Sequence, residues 1–149
     1  MNNTEHMGYA EVFAFLDAEE QQRLAVVASE ISLAQGAFLF EVGDQAAEVF
    51  FLAQGRLSVL KKTGFHRKMQ IVAILEPGAI VGEAGLLVGH IHKTSIRSIE
   101  EAHLFCLKRQ DIEALEHTDP QLVVQLLKRL LQVSSLRLEK TAERLTKVL

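Results

Sequence analysis

The apolar positions of this chain change period twice. Over residues 11–30, EVFAFLDAEEQQRLAVVASE, the apolar positions Val12, Phe13 and Leu16, then Leu24, Val27 and Ala28, recur at the spacing of one helix face. Asp17, with Glu20 three residues later, forms a capping box that starts a second helix, so two helices are predicted within 9–30. From Ile31 the pattern shortens. The runs AFLF, VFFLA, RLSVL, MQIVAIL, TSIRSI and AHLFCL are separated by Gly36, Gly43-Asp44, Gly55, Thr63-Gly64, Pro77-Gly78 and Gly89. Short strands punctuated in this way predict an all-β region over 31–107, a sandwich, jelly roll or barrel rather than a parallel α/β sheet. After Leu107 the glycines stop. A short helix over 109–116 leads to Thr118-Asp119-Pro120, where Thr118 or Asp119 is placed to cap and Pro120 suits the first helical position. The last helix then occupies 120–149.

That helix carries two apolar ridges. Leu127, Leu131, Ser134, Leu138, Thr141, Leu145 and Val148 follow alternating steps of four and three, the spacing of a coiled-coil seam. Leu122, Leu126, Leu130 and Val133 form a second ridge, suited to packing on the chain's own β region. At ~1.5 Å per residue, the helix beyond Leu136 overruns a domain of this size. The first stripe therefore predicts a parallel homodimer seam, with packing inside the chain or a docking surface for a further domain as alternatives. Polar residues such as Ser134 and Thr141 weaken a seam, and either set its register or serve a site.

Composition narrows this picture. The chain has 149 residues, 48% of them hydrophobic, enough for one core with an appended helix. The expected division is a domain over 1–120 and a dimerisation helix over 120–149. A net charge of −3 gives no bulk attraction for nucleic acid or an anionic membrane. The N-terminus has no positive segment followed by an apolar core, and no run approaches the ~18 apolar residues of a membrane span, so a cytoplasmic location is expected. Cys106, the single cysteine, lies within the apolar run HLFCL and is predicted to be a small buried strand residue rather than a nucleophile. No nucleophile–base pairing or pair of catalytic carboxylates emerges from the order of residues, so an enzyme is not expected.

The candidate chemistry concentrates in VGEAGLLVGHIHKTSIR, residues 81–97. Together with GAFLFEVGDQAAEVFFLAQGRLSVL, residues 36–60, it sets out Gly43-Asp44, the Phe50/Leu52/Gly55 turn, Pro77-Gly78 and Gly82-Glu83-Ala84-Gly85-Leu86-Leu87 in order. In these motifs, over about Phe13–Leu145, the chain resembles the cyclic-nucleotide-binding domain family, which includes the sensor domains of catabolite-activator-type transcription factors. The resemblance implies an α+β fold: an eight-stranded jelly roll with N-terminal helices and a long C-terminal helix. It also implies a phosphate-binding cassette. Glu83 is expected to accept a hydrogen bond from a ribose 2′-hydroxyl, and Gly82 to let the backbone approach the anion. Backbone N–H groups around Ala84, Gly85 and Thr94 or Ser95 are expected to hold the cyclic phosphate at a helix start near Gly82-Glu83.

One position departs from the family. Lys93 stands where cyclic-nucleotide binders ordinarily carry arginine, and it supplies a single flexible charge in place of a planar fork. The expected consequence is a loss of about 1–3 kcal/mol of affinity, on the scale of charge-assisted bonds. Thr94 is compatible with either purine. In dimeric bacterial members a Ser/Thr pair of the long helix reaches the purine; here Ser134 and Ser135 are the candidates, although counted from Pro120 they lie about one helical turn early. The ligand implied is cAMP or cGMP, with no cofactor.

His90 and His92 raise a rival reading. An H-x-H pair opens the metal site of cupins, but the glutamate that motif wants four or five residues on is replaced by Ile96 and Arg97, and Pro77 is followed directly by Gly78. Two histidines without a third ligand make a poor metal site. The expected function is thus a regulatory domain that binds a cyclic nucleotide and signals through its C-terminal helix. The alternative is a degenerate domain that serves as a dimerisation or interaction module without nucleotide. Catabolite-activator relatives continue into a helix-turn-helix, whereas this sequence stops at Leu149, so direct nucleic-acid binding is not expected and an effector domain on another segment is left open.

Overall fold

The computed structural model describes residues 6–64 and 68–149. Residues 1–5, part of the segment searched for a leader, and residues 65–67 lie outside the described set. Two short helices open the chain, α1 (Tyr9–Val12) and α2 (Ala18–Ala25). The capping box forms as expected: Glu20 N–H donates to Asp17 Oδ1 at 2.8 Å, and Asp17 N–H donates to Glu20 Oε1 at 3.0 Å. Eight strands follow: β1 (Ser29–Leu33), β2 (Phe38–Phe40), β3 (Glu48–Gln54), β4 (Leu57–Thr63), β5 (Lys68–Leu75), β6 (Ile80–Val81), β7 (Ser95–Ser98) and β8 (Ala102–Lys108). They form two antiparallel four-stranded sheets, ordered β1-β8-β3-β6 and β2-β7-β4-β5. Helices α3 (Arg109–Thr118) and α4 (Pro120–Val148) end the chain. The fold is the expected jelly roll with flanking helices.

Burial on both faces accounts for the continuous apolar runs of β3 and β8. Val49, Phe51 and Ala53 of β3, with Phe105 and Leu107 of β8, pack outward against Phe13, Leu24, Ile112, Leu122 and Leu126 of the helices. The alternate residues Phe50, Leu52, Leu104 and Cys106 point into the roll, where they meet Leu33, Leu57 and Ile96. Cys106 is buried as predicted, and its Sγ donates to Glu48 Oε2 at 2.7 Å. Burial and the neighbouring Glu48 carboxylate push its thiol up to about 12.

The boundaries differ from the sequence reading in three places. The helical region expected to reach residue 30 ends at Ala25, because Ser29 and Glu30 pair with Cys106 and Phe105 of β8, and Ile31 and Leu33 alternate inward on that strand. Strand β6 is defined by its pairing with Phe50 and Phe51 and, at two residues, is too short to show a period. Helix α3 runs two residues past the expected 116, to Thr118. The Asp119 carboxylate does not cap α4. It accepts from Arg23 Nε at 2.6 Å, which ties α2 to the start of α4, and Pro120 takes the first helical turn as expected.

The two ridges of α4 separate cleanly. Leu122, Val123, Leu126 and Leu130 are buried on the sheet. The seam stripe faces outward, with Leu131 67% and Leu138 70% exposed. Every described residue after Arg137 is exposed.

Candidate functional site

The site starts from a tight turn. Gly82 leaves β6 at φ 74°, and a Cβ there would meet Glu48 O at 3.2 Å, so both its conformation and its surroundings favour glycine. The segment that follows is one turn of 3-10 helix, Glu83–Leu86, rather than an α-helix start. Gly85 sits in its interior against β3, where a Cβ would lie 2.4 Å from Glu48 O. Arg109, at the start of α3, donates from Nη1 to Ala46 O at 3.1 Å and to Gly85 O at 3.4 Å. The turn is thereby fastened to α3 and to the segment just before β3.

Beside this turn lies a cavity of about 320 Å³. Its floor is apolar, made by Phe40, Val59, Ala73, Leu75, Val81 and Ile96 from the strands of the roll. Its rim is polar: Glu83 from the 3-10 turn, His90, His92, Lys93 and Thr94 from the loop before β7, and Arg137 from α4. An apolar floor with a few converging polar groups is the usual composition of a small-molecule site.

Of the expected residues, Gly82, Glu83, Ala84, Lys93 and Thr94 line this cavity; Gly85, Ser95, Ser134 and Ser135 do not. Among the described residues no hydrogen bond engages the backbone N–H of Ala84 or Thr94, whereas that of Gly85 is donated to Gly82 O at 2.8 Å. The Ser95 hydroxyl is buried and accepts from Val42 N–H at 2.9 Å, so it fixes the 41–44 turn to β7. Ser134 is half-buried and Ser135 exposed on α4.

Arg137 is the rim residue that the sequence reading did not single out. Its Nη1 donates to Glu83 Oε1 at 3.0 Å and its Nη2 to Ile80 O, so α4 is bonded directly to the turn. Glu83 is 32% and Arg137 39% exposed, a partly desolvated pair at the cavity edge. The one-turn discrepancy of the serine pair was the available signal: Arg137 follows Ser134 by three residues, on the same face of α4 and one turn nearer the cavity. His92 stacks on Phe40 with ring centroids 3.5 Å apart and planes 7° from parallel. Burial, with His90 adjacent, holds its imidazole below the usual value, so the ring is neutral at pH 7. Among the described residues no three His, Cys, Asp or Glu side chains are grouped so as to hold a metal ion. No helix among them is long and apolar enough to cross a membrane.

An antiparallel jelly roll with a glycine-led 3-10 turn beside an apolar cavity is the fold of the cyclic nucleotide-binding domains. The chain belongs to the cyclic nucleotide-binding domain family, whose model matches residues 30–119. Its fold is similar to that of a cyclic nucleotide-binding domain from Methylobacillus flagellatus, with 22% identity, a TM-score of 0.82, and 93% of this chain and 85% of that one covered. It is also similar to the Thermus thermophilus catabolite activator protein, with 26% identity, a TM-score of 0.67 and coverage of 88% and 62%. A third similar structure is the regulatory subunit of a cAMP-independent protein kinase A from Trypanosoma brucei, with 21% identity, a TM-score of 0.65 and coverage of 81% and 43%. No curated protein matches the sequence.

Proposed function

We propose that this chain is a sensor domain that binds a cyclic nucleotide, cAMP or cGMP, in the cavity at the 3-10 turn and passes its occupancy to α4. The observation that carries this reading is the charge balance of the rim. Glu83 and Arg137 neutralise each other at 3.0 Å, His92 is neutral, and the Lys93 charge is left uncompensated by them. A cavity with one spare positive charge over an apolar floor suits a flat heterocycle joined to a monoanion, and a cyclic phosphodiester carries one negative charge. In this reading Glu83 Oε2 accepts a ribose hydroxyl while Oε1 is engaged by Arg137. The N–H groups of Ala84 and Thr94 donate to phosphate oxygens, with Lys93 as the cation. The chain acts as a binding domain with no catalytic step.

The exposed stripe of α4 is the proposed homodimer seam, with Leu127, Leu131, Leu138 and Leu145 as its apolar steps and α4 over 120–149 as the dimerisation element. An effector domain, on another segment or another chain, would read the position of this helix.

The competing reading is a dimerisation module with no nucleotide, favoured by lysine at position 93 and by the structural similarity to cAMP-independent kinase regulatory subunits. Titration with cAMP and cGMP, followed by thermal shift, separates the two. At least one nucleotide is expected to raise the melting temperature of the wild type. The shift is expected to vanish in Glu83→Ala and Lys93→Ala, with about 1–3 kcal/mol of binding energy lost in each. No shift from either nucleotide at millimolar concentration leaves the module reading standing.

A further inference from the structure

One side chain of the cavity wall is buried, titratable and without a polar partner. His92 is 7% exposed, whereas Lys93, the next residue, is exposed. The permanent cation of this loop therefore sits toward water, where its field is screened, and an imidazole sits inside. Two contacts hold the imidazole in place. Its ring lies flat on Phe40 of β2, and its backbone is clasped to the 43–44 turn: His92 N–H donates to Asp44 O at 2.9 Å, and Gly43 N–H donates to His92 O at 3.0 Å. Among the described residues no group bonds to either ring nitrogen, and neither nitrogen is sealed off, so a ligand in the cavity can reach them.

An imidazole so placed has two states to offer a ligand. Neutral, it presents one donor and one acceptor; protonated, it presents two donors and a positive charge. Without a ligand the neutral state wins, because burial and His90 hold the ring below its ordinary value, against a smaller pull from Asp44. An anion lodged in the cavity reverses that balance, since opposite charges attract strongly where water screens them little. Phe40 adds to this, because an aromatic face attracts a cation lying on it. The charged and titratable groups around the ring are His90 and Lys93 on its own loop, Asp44 from the 41–44 turn, and Glu83 and Arg137 from the 3-10 turn and α4. Glu83 and Arg137 are paired with each other, and the Asp44 carboxylate accepts from Glu41 N–H at 2.9 Å.

We infer that His92 is a ligand-binding residue: it takes up a proton when a cyclic nucleotide enters the cavity, and in that state donates to the phosphate. The proton comes from the solvent and goes to the imidazole, and no bond of the ligand changes. This rests on the cyclic-nucleotide reading above and adds to it a buried counter-charge that exists only while the anion is present. The complex then holds more protons than the free protein, so the site tightens as the pH falls. A cyclic phosphodiester keeps its single negative charge over the same range, which leaves the protein as the source of that dependence. A neutral nucleoside gives the ring no reason to charge.

The test is calorimetry of the wild type with cAMP and cGMP, and with adenosine and guanosine as their uncharged counterparts, in two buffers of different ionisation enthalpy. The difference in heat between the buffers reads proton uptake directly, so the first result needs no variant. Net uptake is expected with the better-bound cyclic nucleotide and none with its nucleoside. The affinity of that cyclic nucleotide is expected to rise about threefold or more from about pH 7.5 to 5.5. His92→Phe, which keeps a ring on Phe40, is expected to bind it more weakly at the acid end and to lose both the uptake and the pH dependence. His90→Gln is expected to keep both.

A cyclic nucleotide that binds without proton uptake, or an uptake that survives in His92→Phe, overturns this proposal and leaves the nucleotide reading of the cavity intact. Uptake that disappears in His90→Gln and not in His92→Phe gives the proton to the other histidine and overturns it as well. If neither cyclic nucleotide binds at any pH in the range, the reading of the cavity itself falls, and this proposal with it.

Discussion

At the scale of single residues, the turn motif has two kinds of member that sequence alone does not tell apart. Glu83, Lys93 and Thr94 present groups to the cavity, while Gly85 and Ser95 hold the cavity in shape. The distinction follows from what each atom touches. A methyl group at position 85 would meet the Glu48 carbonyl at 2.4 Å, and backbone is costly to displace. Gly85→Ala is therefore expected to destabilise the fold by about 1–3 kcal/mol, an overpacking cost, seen as a lower melting temperature before any ligand is added. Glu83→Ala, at a half-exposed rim, is expected to leave that temperature nearly unchanged.

His92 supplies a second residue-scale prediction. Its folded imidazole is held below the unfolded value of 6.5 by burial and by His90, so the folded state favours the neutral ring. The unfolded chain consequently binds more protons as the pH drops. The stability tied to neutral His92 is complete above pH 6.5 and is lost as the pH falls through that value toward the folded one. Melting temperature should decline on acidification from about pH 7.5 to 5.5, and the slope should flatten in His92→Phe, which keeps a ring on Phe40 without a titrating group.

At the scale of elements, helix α4 divides its work along its length. Up to Leu130 it is a core helix, at Arg137 it touches the cavity, and every described residue beyond that is exposed. The two leucine ridges made this division legible in advance, because steps of four and three separate a seam from a packing face. Arg137 was not legible in the same way. Its partner, Glu83, is 54 residues away in sequence, and on a helical wheel an arginine beside a leucine stripe looks like ordinary flank. The boundary of the N-terminal helices was hidden for a related reason: Ser29 and Glu30 join β1 through pairing with β8, a strand more than seventy positions later. Element type followed from local period, while the exact limits and the helix contribution to the site depended on long-range partners. For the seam itself, Leu138→Asp is expected to convert a dimer to a folded monomer, since Leu138 is 70% exposed and makes no core contact. Sedimentation velocity at tens of micromolar checks this, and a wild-type monomer under the same conditions removes the seam.

At the scale of the whole molecule, the roll supplies an apolar floor, the 3-10 turn a carboxylate and the Ala84 N–H, the loop before β7 a lysine, and α4 an arginine. Arg109 fastens the turn to α3, and the Arg137 pair fastens it to α4, so the cavity lies where the roll and its helices are joined. The proposed coupling of occupancy to helix position runs through these bonds. The proposed function requires this cavity to recognise a cyclic phosphate and not merely a base and sugar. Calorimetric titration of the wild type with each cyclic nucleotide and its matching nucleoside tests it most directly. One cyclic nucleotide is expected to bind about tenfold or more tightly than its nucleoside, an advantage lost in Lys93→Ala. A nucleoside that binds as tightly as its cyclic phosphate, or the absence of binding by any of the four, would contradict it.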